Sequence, residues 1–321
     1  MSGDGETAKV YTLHAAVVAL LVALNFILPE YHHGVLARVL VLAVFAMGYN
    51  LLFGYVGLLS LGHAMFFSAG LYGAGLPLYH LGWGVPAAFA GGIGAGILVS
   101  LVIGLLALRT SGVAFMIVTM MFAQVFYLTT LYFGEWTRGD EGLVLQQQSR
   151  QVALGAGTLD LTNPTTRYLM AVALFAAALF ATLAIVRSRH GRVLVAIREN
   201  EERTRMLGYD TFANKLAAVV TSGIICAAAG AAYALLFGYI GSTFASVQYS
   251  ILPLLWVLLG GAATTLGPLV GTVFMYYVID ITSSYTSAYM LVVGLVLILL
   301  VIWFRKGVLG TVRERWVRWL P

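Results

Sequence analysis

Charged residues are scarce in this sequence: Asp, Glu, Lys and Arg make up 10% of its 321 residues, whereas ordinary soluble domains carry roughly 25%. A soluble fold of this size could not cover its surface with so few charges, so a soluble enzyme or a nucleic-acid-binding protein is excluded. The one cysteine, Cys226, cannot form an internal disulfide, which excludes a disulfide-stabilised scaffold. The 60% share of hydrophobic residues instead indicates a membrane protein.

Motifs for nucleotide binding and catalysis are also absent. The chain has only three lysines and no GxxxxGK[ST] sequence, so it cannot bind ATP through a P-loop of its own. HExxH and GxSxG are missing, and the adjacent His32 and His33 cannot share a helix face as metal ligands. We therefore expect no catalytic residue, no metal site, no cofactor bound by this chain and no enzymatic activity.

Three long stretches contain no charged residue at all: Arg38 to Arg109, Lys215 to Asp280, and Asp280 to Arg305, end residues excluded. Backbone polar groups in lipid must be satisfied internally, so continuous apolar runs of this length predict helices. We predict an all-α polytopic membrane protein with about ten transmembrane helices. The predicted spans are residues 11–28, 35–54, 59–80, 85–108, 112–133, 167–187, 213–238, 250–266, 268–285 and 287–304.

The distribution of basic residues predicts the orientation, because Lys and Arg are enriched on the cytoplasmic side of membrane proteins. The loop 134–166 holds more acidic than basic residues and is placed outside. Residues 11–304 then form a single transmembrane domain, and the amphipathic tail suits an interfacial helix or a second contact with a cytosolic partner. Both termini lie in the cytoplasm with the basic regions: the leader 1–10, Arg109, the loop 188–212 and the tail 305–321.

The spans form two groups of four that run in opposite directions, spans two to five and seven to ten. This parity predicts an inverted four-helix repeat with a pathway between its halves. Two Gly-rich segments, 54–63 and 260–268, fall at loosely corresponding places and could line that pathway or simply allow close helix packing. The short span 250–266 is either a full crossing or a re-entrant helix.

Polar residues within the spans are almost all neutral, which suits a weakly polar path and equally suits hydrogen bonds between helices. Asp280 is the one acidic candidate, and a charge at the bilayer centre costs at least ~2.5 kcal/mol, so it could act in transport. The predicted translocation path comprises Asn50, Gly57, Ser60, Gly62, His63, Phe66, Thr119, Gln124, Gly260 and Gly261.

The loop 188–212 predicts one short helix over residues 193–207, bounded by two glycines and containing Glu–Arg pairs four residues apart. An ordinary basic loop explains the arginines but not a compact helix with an apolar patch, so we interpret it as a docking element for a motor subunit. In the outer loop, Arg138, Asp140 and Glu141 could receive a binding protein or pack over a vestibule. The predicted coupling residues are Arg192, Val193, Ala196, Ile197, Arg198, Glu199, Glu202, Arg203 and Gly208.

Three stretches of the sequence resemble the LivM-type permease subunit of high-affinity branched-chain amino acid ABC importers. They are residues 48–67 (GYNLLFGYVGLLSLGHAMFF), residues 191–208 (GRVLVAIRENEERTRMLG), and residues 259–261 (LGG) with 267–271 (GPLVG). One departure lies in the outer loop, where the family often has TGGxxGL and Arg138 stands in place of a glycine.

The resemblance implies a type II-like ABC importer permease in a bacterial inner membrane, with 188–212 as its coupling helix. The implied partners are a homologous LivH-like second permease, two cytosolic ATP-binding subunits that use ATP and Mg, and a periplasmic solute-binding protein. The implied solutes are branched-chain amino acids, whereas other relatives carry urea, amides or aromatic acids. The alternative is an ion-coupled secondary transporter, for which Asp280 would be essential.

Overall fold

The structure, a computed structural model, describes residues 3–154, 157–304 and 306–316. Residues 1–2 of the predicted leader, and Arg305 and residues 317–321 of the predicted tail, lie outside these ranges. The described helices are α1 (Gly3–Leu24), α2 (Glu30–Asn50), α3 (His63–His80), α4 (Val85–Ala107), α5 (Gly112–Tyr132), α6 (Gly134–Thr137), α7 (Pro164–Arg187), α8 (Arg189–Glu199), α9 (Glu201–Met206), α10 (Thr211–Phe237), α11 (Val247–Gly260), α12 (Gly267–Tyr285), α13 (Tyr289–Trp303) and α14 (Val308–Arg315).

Ten of the described helices contain at least 14 residues, and each coincides with one predicted span. Polar side chains cap the starts of several helices: Asn163, Ser188, Asp210 and Ser246 accept hydrogen bonds from the first-turn backbone of α7, α8, α10 and α11, and Asn200 caps α9. The predicted polytopic helical fold is confirmed. Within the described residues, six segments are long and apolar enough to cross a membrane: Thr7–Leu24, Tyr31–Val56, Val85–Ala107, Gly112–Tyr132, Pro164–Arg187 and Thr211–Phe237.

Several predicted spans have different bounds in the structure, and two of these differences concern helix breaks. A π-helix over Leu51–Val56 continues α2, and Gly57 ends it in the left-handed conformation (φ 81°), so α3 begins at His63 instead of residue 59. The 14 residues of α11 rise about 21 Å, which is short of the ~30 Å of a hydrocarbon core. A straight α11 therefore does not make a full crossing.

The connection between α5 and α7 has short elements of its own. The connection contains β1 (Leu143–Val144), β2 (Gln151–Leu154) and β3 (Gly157–Asp160). Strand β1 pairs antiparallel with β4 (Tyr239–Ile240), which follows α10, and β2 forms a hairpin with β3. The β1–β4 ladder ties this connection to the segment after α10. Strands are thus confined to the loops of the described chain, and the packed core is helical.

The two groups of helices, α2–α5 and α10–α13, make equivalent contacts with each other. The pair α3 and α4 packs on α10, the pair α11 and α12 packs on α2, and α2 packs on α10. The first helix of each group leads to a glycine in the left-handed conformation, Gly57 (φ 81°) and Gly238 (φ 71°). This is the contact pattern of the predicted repeat. The predicted correspondence between segments 54–63 and 260–268 is wrong. Segment 54–63 follows α2, the first helix of its group, whereas segment 260–268 follows α11, the second helix of its group.

The two ends of the bundle differ in the segments that they carry. The basic end carries α8, α9 and α14. The break between α11 and α12 lies at this end, where it bonds to Arg313 and lines the same cavity as Arg198. The loop end carries the connection between α5 and α7. The helix α1 begins at Gly3, so most of the predicted leader 1–10 is helical in the structure.

Small residues let α3 and α10 approach so closely that their backbones touch. A Cβ at Gly230 would lie 1.8 Å from the Phe67 carbonyl oxygen, and one at Gly70 would lie 2.0 Å from the Ala227 carbonyl oxygen. No backbone can give way by that distance without separating the helices. By contrast, nothing lies within 4 Å of a Cβ at Gly94 on α4.

We predict that Gly230→Ala destabilises the folded chain by about 1–3 kcal/mol, because the added methyl group forces α3 and α10 apart. Thermal unfolding of the detergent-solubilised protein measures the effect as a lower Tm. Gly94→Ala is the matched control and leaves the Tm unchanged or slightly higher, since alanine favours the helix. Equal shifts for the two variants would contradict the close α3–α10 contact.

Candidate coupling and translocation site

Asn50, the last residue of α2, joins two interruptions of the helical bundle. Its Oδ1 accepts a hydrogen bond from the Ala263 N–H at 3.0 Å, and its Nδ2 donates to the Thr264 carbonyl at 2.9 Å. Both partners lie in the break between α11 and α12, where Gly261 (φ 120°) and Ala263 (φ 58°) leave the helical conformation. Asn50 is 1% exposed, so loss of its amide would leave the buried Thr264 carbonyl and the half-buried Ala263 N–H without this partner.

Arg198 connects α8 to the same region. Its guanidinium donates to the carbonyl of Gly54, in the π-helix that follows Asn50. A Cβ at Gly57, the next helix end, would lie 2.9 Å from Cγ of Arg198. Glycine is therefore required at position 57 both for its left-handed backbone and for the approach of the arginine. A predicted coupling residue and a predicted path residue are in direct contact here.

Arg313 of α14 contacts the break from another side. Its Nη1 donates to the Ala263 carbonyl at 2.9 Å. Gly307, just before α14, packs its backbone on the break, where a Cβ would lie 2.5 Å from the Gly261 nitrogen. The described part of the predicted basic tail is thus docked on the bundle. Between α8 and α14 lies a cavity of about 770 Å³, lined among others by Phe53, Arg198, Leu258, Lys306 and Arg313.

His63 begins α3 inside the bundle, in contact with both groups of helices. Its Nε2 lies 3.0 Å from Oγ of Ser222, and Ser222 donates to the Gly48 carbonyl at 2.6 Å. The next amide, Ala64 N–H, donates to Oγ of Ser250 on α11 at 2.9 Å. A serine of one group therefore satisfies the backbone at the first turn of a helix from the other.

The remaining predicted path residues shape the 57–62 connection or pack close to it. Ser60 accepts from the Gly62 N–H at 3.2 Å, and Thr119 accepts from the Leu61 N–H at 3.3 Å. Phe66 lies edge-on to His63, and a Cβ at Gly260 would clash with the backbone of α12. Gln124 lies further along α5, half-buried and without a hydrogen bond to the described residues.

Most of these path residues are buried inside the bundle, and we call the region that they occupy the buried layer. Eight of the ten are buried, whereas Gly57 is exposed and Gln124 is half-buried. Their polar groups bond mainly to backbone groups at the helix breaks. This is the role in hydrogen bonding between helices that the sequence allowed as an alternative to a polar path. The cavity at the basic end adjoins this layer through Ala263 and Thr264, which both Asn50 and the cavity contact.

Three further polar residues of this layer were missed by the sequence analysis. Ser222 and Ser250 stand alone in apolar runs, where a serine gives no signal that separates it from ordinary helix packing. His14 of α1 bonds to Oγ1 of Thr265 in the break, with a distance of 2.6 Å from its Nε2. Nothing in the sequence around His14 predicts a contact with a residue about 250 positions away.

The predicted single helix over 193–207 is wrong: the loop forms α8 and α9, separated at Asn200. Asn200 is extended (φ −161°), and its Oδ1 caps α9 by accepting from the Arg203 N–H at 2.9 Å. The break separates Glu199 from Arg203, and these two described side chains form no ion pair. Glu201 instead pairs with Lys215 at 2.6 Å and with Arg205 at 3.5 Å.

The carboxyl of Glu201 is held in its charged form at this junction. Burial opposes ionisation, but the hydrogen bond and charge of Lys215, with further contributions from Thr211 and Arg205, outweigh it. The pKa of Glu201 is therefore lowered from its usual value. The ion pair links α9 to the second turn of α10, so the loop is attached to the bundle at both of its helices.

Most of the apolar patch of α8 faces the bundle, and only Val195 of that patch is exposed (39%). Leu194 and Ile197 are buried, and α8 packs against α7, α10 and the π-helix. The exposed predicted coupling residues are Arg192, Arg198, Glu199, Glu202, Arg203 and Gly208, while Val193 and Ala196 are half-buried. An exposed apolar surface lies further on, here named the tip patch: Met206 (84% exposed), Leu207 (77%), Tyr209 (48%) and Phe212 (41%).

The predicted outer-loop residues lie at the loop end. Arg138 adopts the left-handed conformation (φ 57°), which glycine adopts readily and which fits the glycine of the resembled family. Its Nη2 donates to Tyr79 at 3.3 Å, and Asp140 accepts from Ser242 at 3.0 Å. Asp140 and Glu141 are exposed. Within the described residues, no group of three or more His, Cys, Asp or Glu side chains could hold a metal ion.

Comparison with known proteins agrees with these features. The family described as "Branched-chain amino acid transport system / permease component" matches residues 31–302. The high-affinity branched-chain amino acid transport system permease protein LivM of Escherichia coli (strain K12) is 26% identical over 334 residues, covering 97% of this chain and 78% of the relative.

A second relative gives the same result, and solved structures add nothing to it. LivM of Salmonella typhimurium (strain LT2) is 26% identical over 335 residues, again covering 97% of this chain and 78% of the relative. No solved structure matches the chain significantly. Since the family match extends over most of the chain and includes the π-helix, α8 and the α11–α12 break, the chain belongs to the branched-chain amino acid transport system permease family.

Proposed function

We propose that this chain is one of the two permease subunits of an ATP-binding-cassette importer for branched-chain amino acids. Its partners are a homologous LivH-like permease, two cytosolic ATPase subunits that use ATP and Mg, and a periplasmic solute-binding protein. Family membership and the names of the two LivM relatives support this proposal. The absence of a P-loop from the sequence fits a subunit driven by partner ATPases.

The basic end faces the cytosol in this proposal, and both termini lie there. Most of the eighteen basic residues belong to the segments gathered at this end, as the positive-inside rule requires. The membrane is the bacterial inner membrane, as for a chain that works with a periplasmic binding protein. The exposed tip patch then points toward the compartment that holds the ATPases.

The contacts that connect the basic end to the buried layer carry the proposal. Arg198 of α8 bonds to Gly54, and the same π-helix begins after Asn50. Asn50 bonds to Ala263 and Thr264, and Arg313 of α14 holds Ala263 from the other side. A displacement of α8 by an ATPase would therefore move both helix breaks together.

In the transport cycle, the binding protein delivers solute to the loop end. ATP binding draws the ATPases together, and the tip patch and α8 transmit that motion to the segments 54–63 and 260–268. The layer around Asn50 and His63 opens to one side and then the other, which is alternating access. The ion-coupled alternative requires this chain alone to move solute, so uptake by the purified chain in liposomes without ATPases would favour it.

We predict that Met206→Glu with Leu207→Glu weakens ATPase binding by about tenfold or more, because buried apolar anchors dominate interface energies. Co-purification of the ATPase subunits with the tagged permease measures the loss. Val144→Glu is the matched control, since Val144 is 68% exposed but lies at the loop end. ATPase retention by the double variant would rule out the tip patch as the docking surface.

We predict that Asn50→Ala lowers solute uptake per ATP hydrolysed by about tenfold, because two backbone groups of the α11–α12 break lose their shared partner. Asn50→Asp keeps the acceptor for the Ala263 N–H but places a carboxylate oxygen against the Thr264 carbonyl in a buried position, so it also lowers this ratio. Reconstituted importer with all its subunits gives both rates.

Asn214→Ala is the matched control for Asn50. Asn214 lies at the same end of the bundle, but its amide bonds only to the Asp210 carbonyl of its own helix start, at 2.7 Å. Its variant keeps the wild-type ratio of uptake to hydrolysis. An Asn50→Ala importer that also kept this ratio would exclude Asn50 from coupling.

A further inference from the structure

The cavity at the basic end carries an excess of positive charge. Of the described residues that line it, three are basic: Arg198, Lys306 and Arg313. Glu314 is the one acidic residue in that described lining. The volume of about 770 Å³ falls within the range of small-molecule sites, roughly 300–1,000 Å³. A cavity of this size and charge is suited to an anion.

The lysine of the cavity has a charged partner, whereas its two arginines have none. The ammonium group of Lys306 pairs with Glu314 at 2.6 Å. Within the described residues, neither Arg198 nor Arg313 forms an ion pair. Each donates one hydrogen bond to a backbone carbonyl at a helix break. A guanidinium carries five N–H donors, so both groups keep donors for a further acceptor.

The two arginines are anchored on adjacent points of the backbone. Arg198 bonds to the Gly54 carbonyl, and Arg313 bonds to the Ala263 carbonyl at 2.9 Å. A Cβ at Gly54 would lie 2.6 Å from the Ala263 nitrogen, so the two backbone segments touch. Both guanidinium groups also act electrostatically on the hydroxyl of the buried Tyr55. One anion in the cavity is therefore within reach of both arginines.

The positive-inside rule alone does not account for the placement of these two arginines. The rule requires basic residues at this end but does not require them to meet. Arg192 on α8 and Arg315 on α14 satisfy it as exposed residues outside the cavity lining. Arg198 and Arg313, on the same two helices, instead reach the helix breaks and line one cavity.

We propose that this cavity binds a phosphate group, carried either by an anionic lipid of the adjoining leaflet or by a soluble phosphate compound. Arg198 and Arg313 donate to its oxygens, because guanidinium and phosphate groups form paired, charge-assisted hydrogen bonds. Basic pockets between membrane helices hold anionic lipid headgroups in this way. Phe53 and Leu258 line the same cavity and offer an apolar surface to the glycerol backbone of such a ligand.

A bound phosphate group links α8 to α14 across the helix breaks. It contacts Arg198 and Arg313 while each arginine keeps its bond to a break carbonyl. The consequence for transport rests on the proposed function, in which the ATPases displace α8. With the site occupied, that displacement reaches the α11–α12 break through α14 as well, so solute uptake per ATP hydrolysed rises.

Binding is tested on the full-length chain, freed of lipid in dodecyl maltoside and titrated with two probes, dioctanoyl phosphatidylglycerol and glycerol 3-phosphate. A probe that binds the folded chain raises its Tm. Dioctanoyl phosphatidylcholine, which has the same acyl chains and no net charge, binds at least about tenfold more weakly than the phosphatidylglycerol. A response to phosphatidylglycerol alone identifies a lipid as the source, and a response to glycerol 3-phosphate as well shows that a soluble phosphate compound suffices.

Leu258→Glu places a carboxylate in the cavity and leaves both arginines in place. It weakens binding of the probes by at least about tenfold, because the internal carboxylate takes the guanidinium donors. Leu258→Gln is the matched control, equal in size and uncharged, and it binds within about twofold of the wild type. Leu258 is 38% exposed, so either polar side chain is accommodated. Arg315→Gln removes a charge of α14 outside the cavity lining and binds as the wild type does.

The consequence for transport is tested on the complete importer in two kinds of liposome, phosphatidylcholine alone and phosphatidylcholine with phosphatidylglycerol in equal parts. Glycerol 3-phosphate on the cytosolic side of the first kind tests the soluble source. The effective probe raises wild-type uptake per ATP hydrolysed by at least about twofold. Leu258→Glu gives the same ratio with and without that probe, whereas Leu258→Gln responds as the wild type does.

The outcomes separate this site from the proposed function. A Tm that neither probe changes, or equal binding by Leu258→Glu and Leu258→Gln, overturns the site and leaves the proposed function standing, because binding is measured without transport. Binding without a change in uptake per ATP overturns the link to coupling. A wild-type importer that takes up no branched-chain amino acid with ATP contradicts the proposed function, and a positive binding result then still supports the phosphate site.

Discussion

Every interruption of a helix inside a membrane releases backbone N–H and C=O groups that lipid cannot satisfy, and this constraint organises the structure. The chain interrupts its helices at 57–62 and at 261–266. Side chains from other helices supply the missing partners: Asn50 for Ala263 and Thr264, Ser250 for Ala64, and Arg313 for the Ala263 carbonyl. The breaks are consequently tied to each other and cannot shift independently without leaving polar groups unpaired.

The same constraint connects the basic segments to the centre of the bundle. Arg198 and Arg313 reach backbone carbonyls at the two interruptions, so surface helices α8 and α14 hold groups that an unbroken helix would have satisfied itself. Close contacts between small residues, such as Gly230 against Phe67, keep the surrounding helices rigid. A rigid bundle with two linked interruptions is suited to transmit a displacement from its surface to its interior.

Composition and charge placement were sufficient to predict the helical membrane fold, the position of ten helices and the opposed groups of four. They could not predict where helices break, because the π-helix over Leu51–Val56 and the extended Asn200 depend on tertiary partners and not on local preference. The predicted path residues lie together mostly because their segment, 54–63, is itself a break. The sequence did not reveal the roles of Ser222, Ser250 and His14. A lone polar residue in an apolar run looks the same whether it packs within its own helix or bonds to another helix. The tip patch was missed because exposure of Met206 and Leu207 depends on the turn after Asn200.

Linked movement of the two interruptions is tested most directly by hydrogen–deuterium exchange on the complete importer, with and without ATP trapped in hydrolysis-deficient ATPases. Coupling through Asn50 predicts that backbone protection of segments 57–62 and 261–266 changes together when ATP binds, while the α3–α10 contact at Gly230 stays protected. A change in one segment without the other, or in neither, would contradict the coupling.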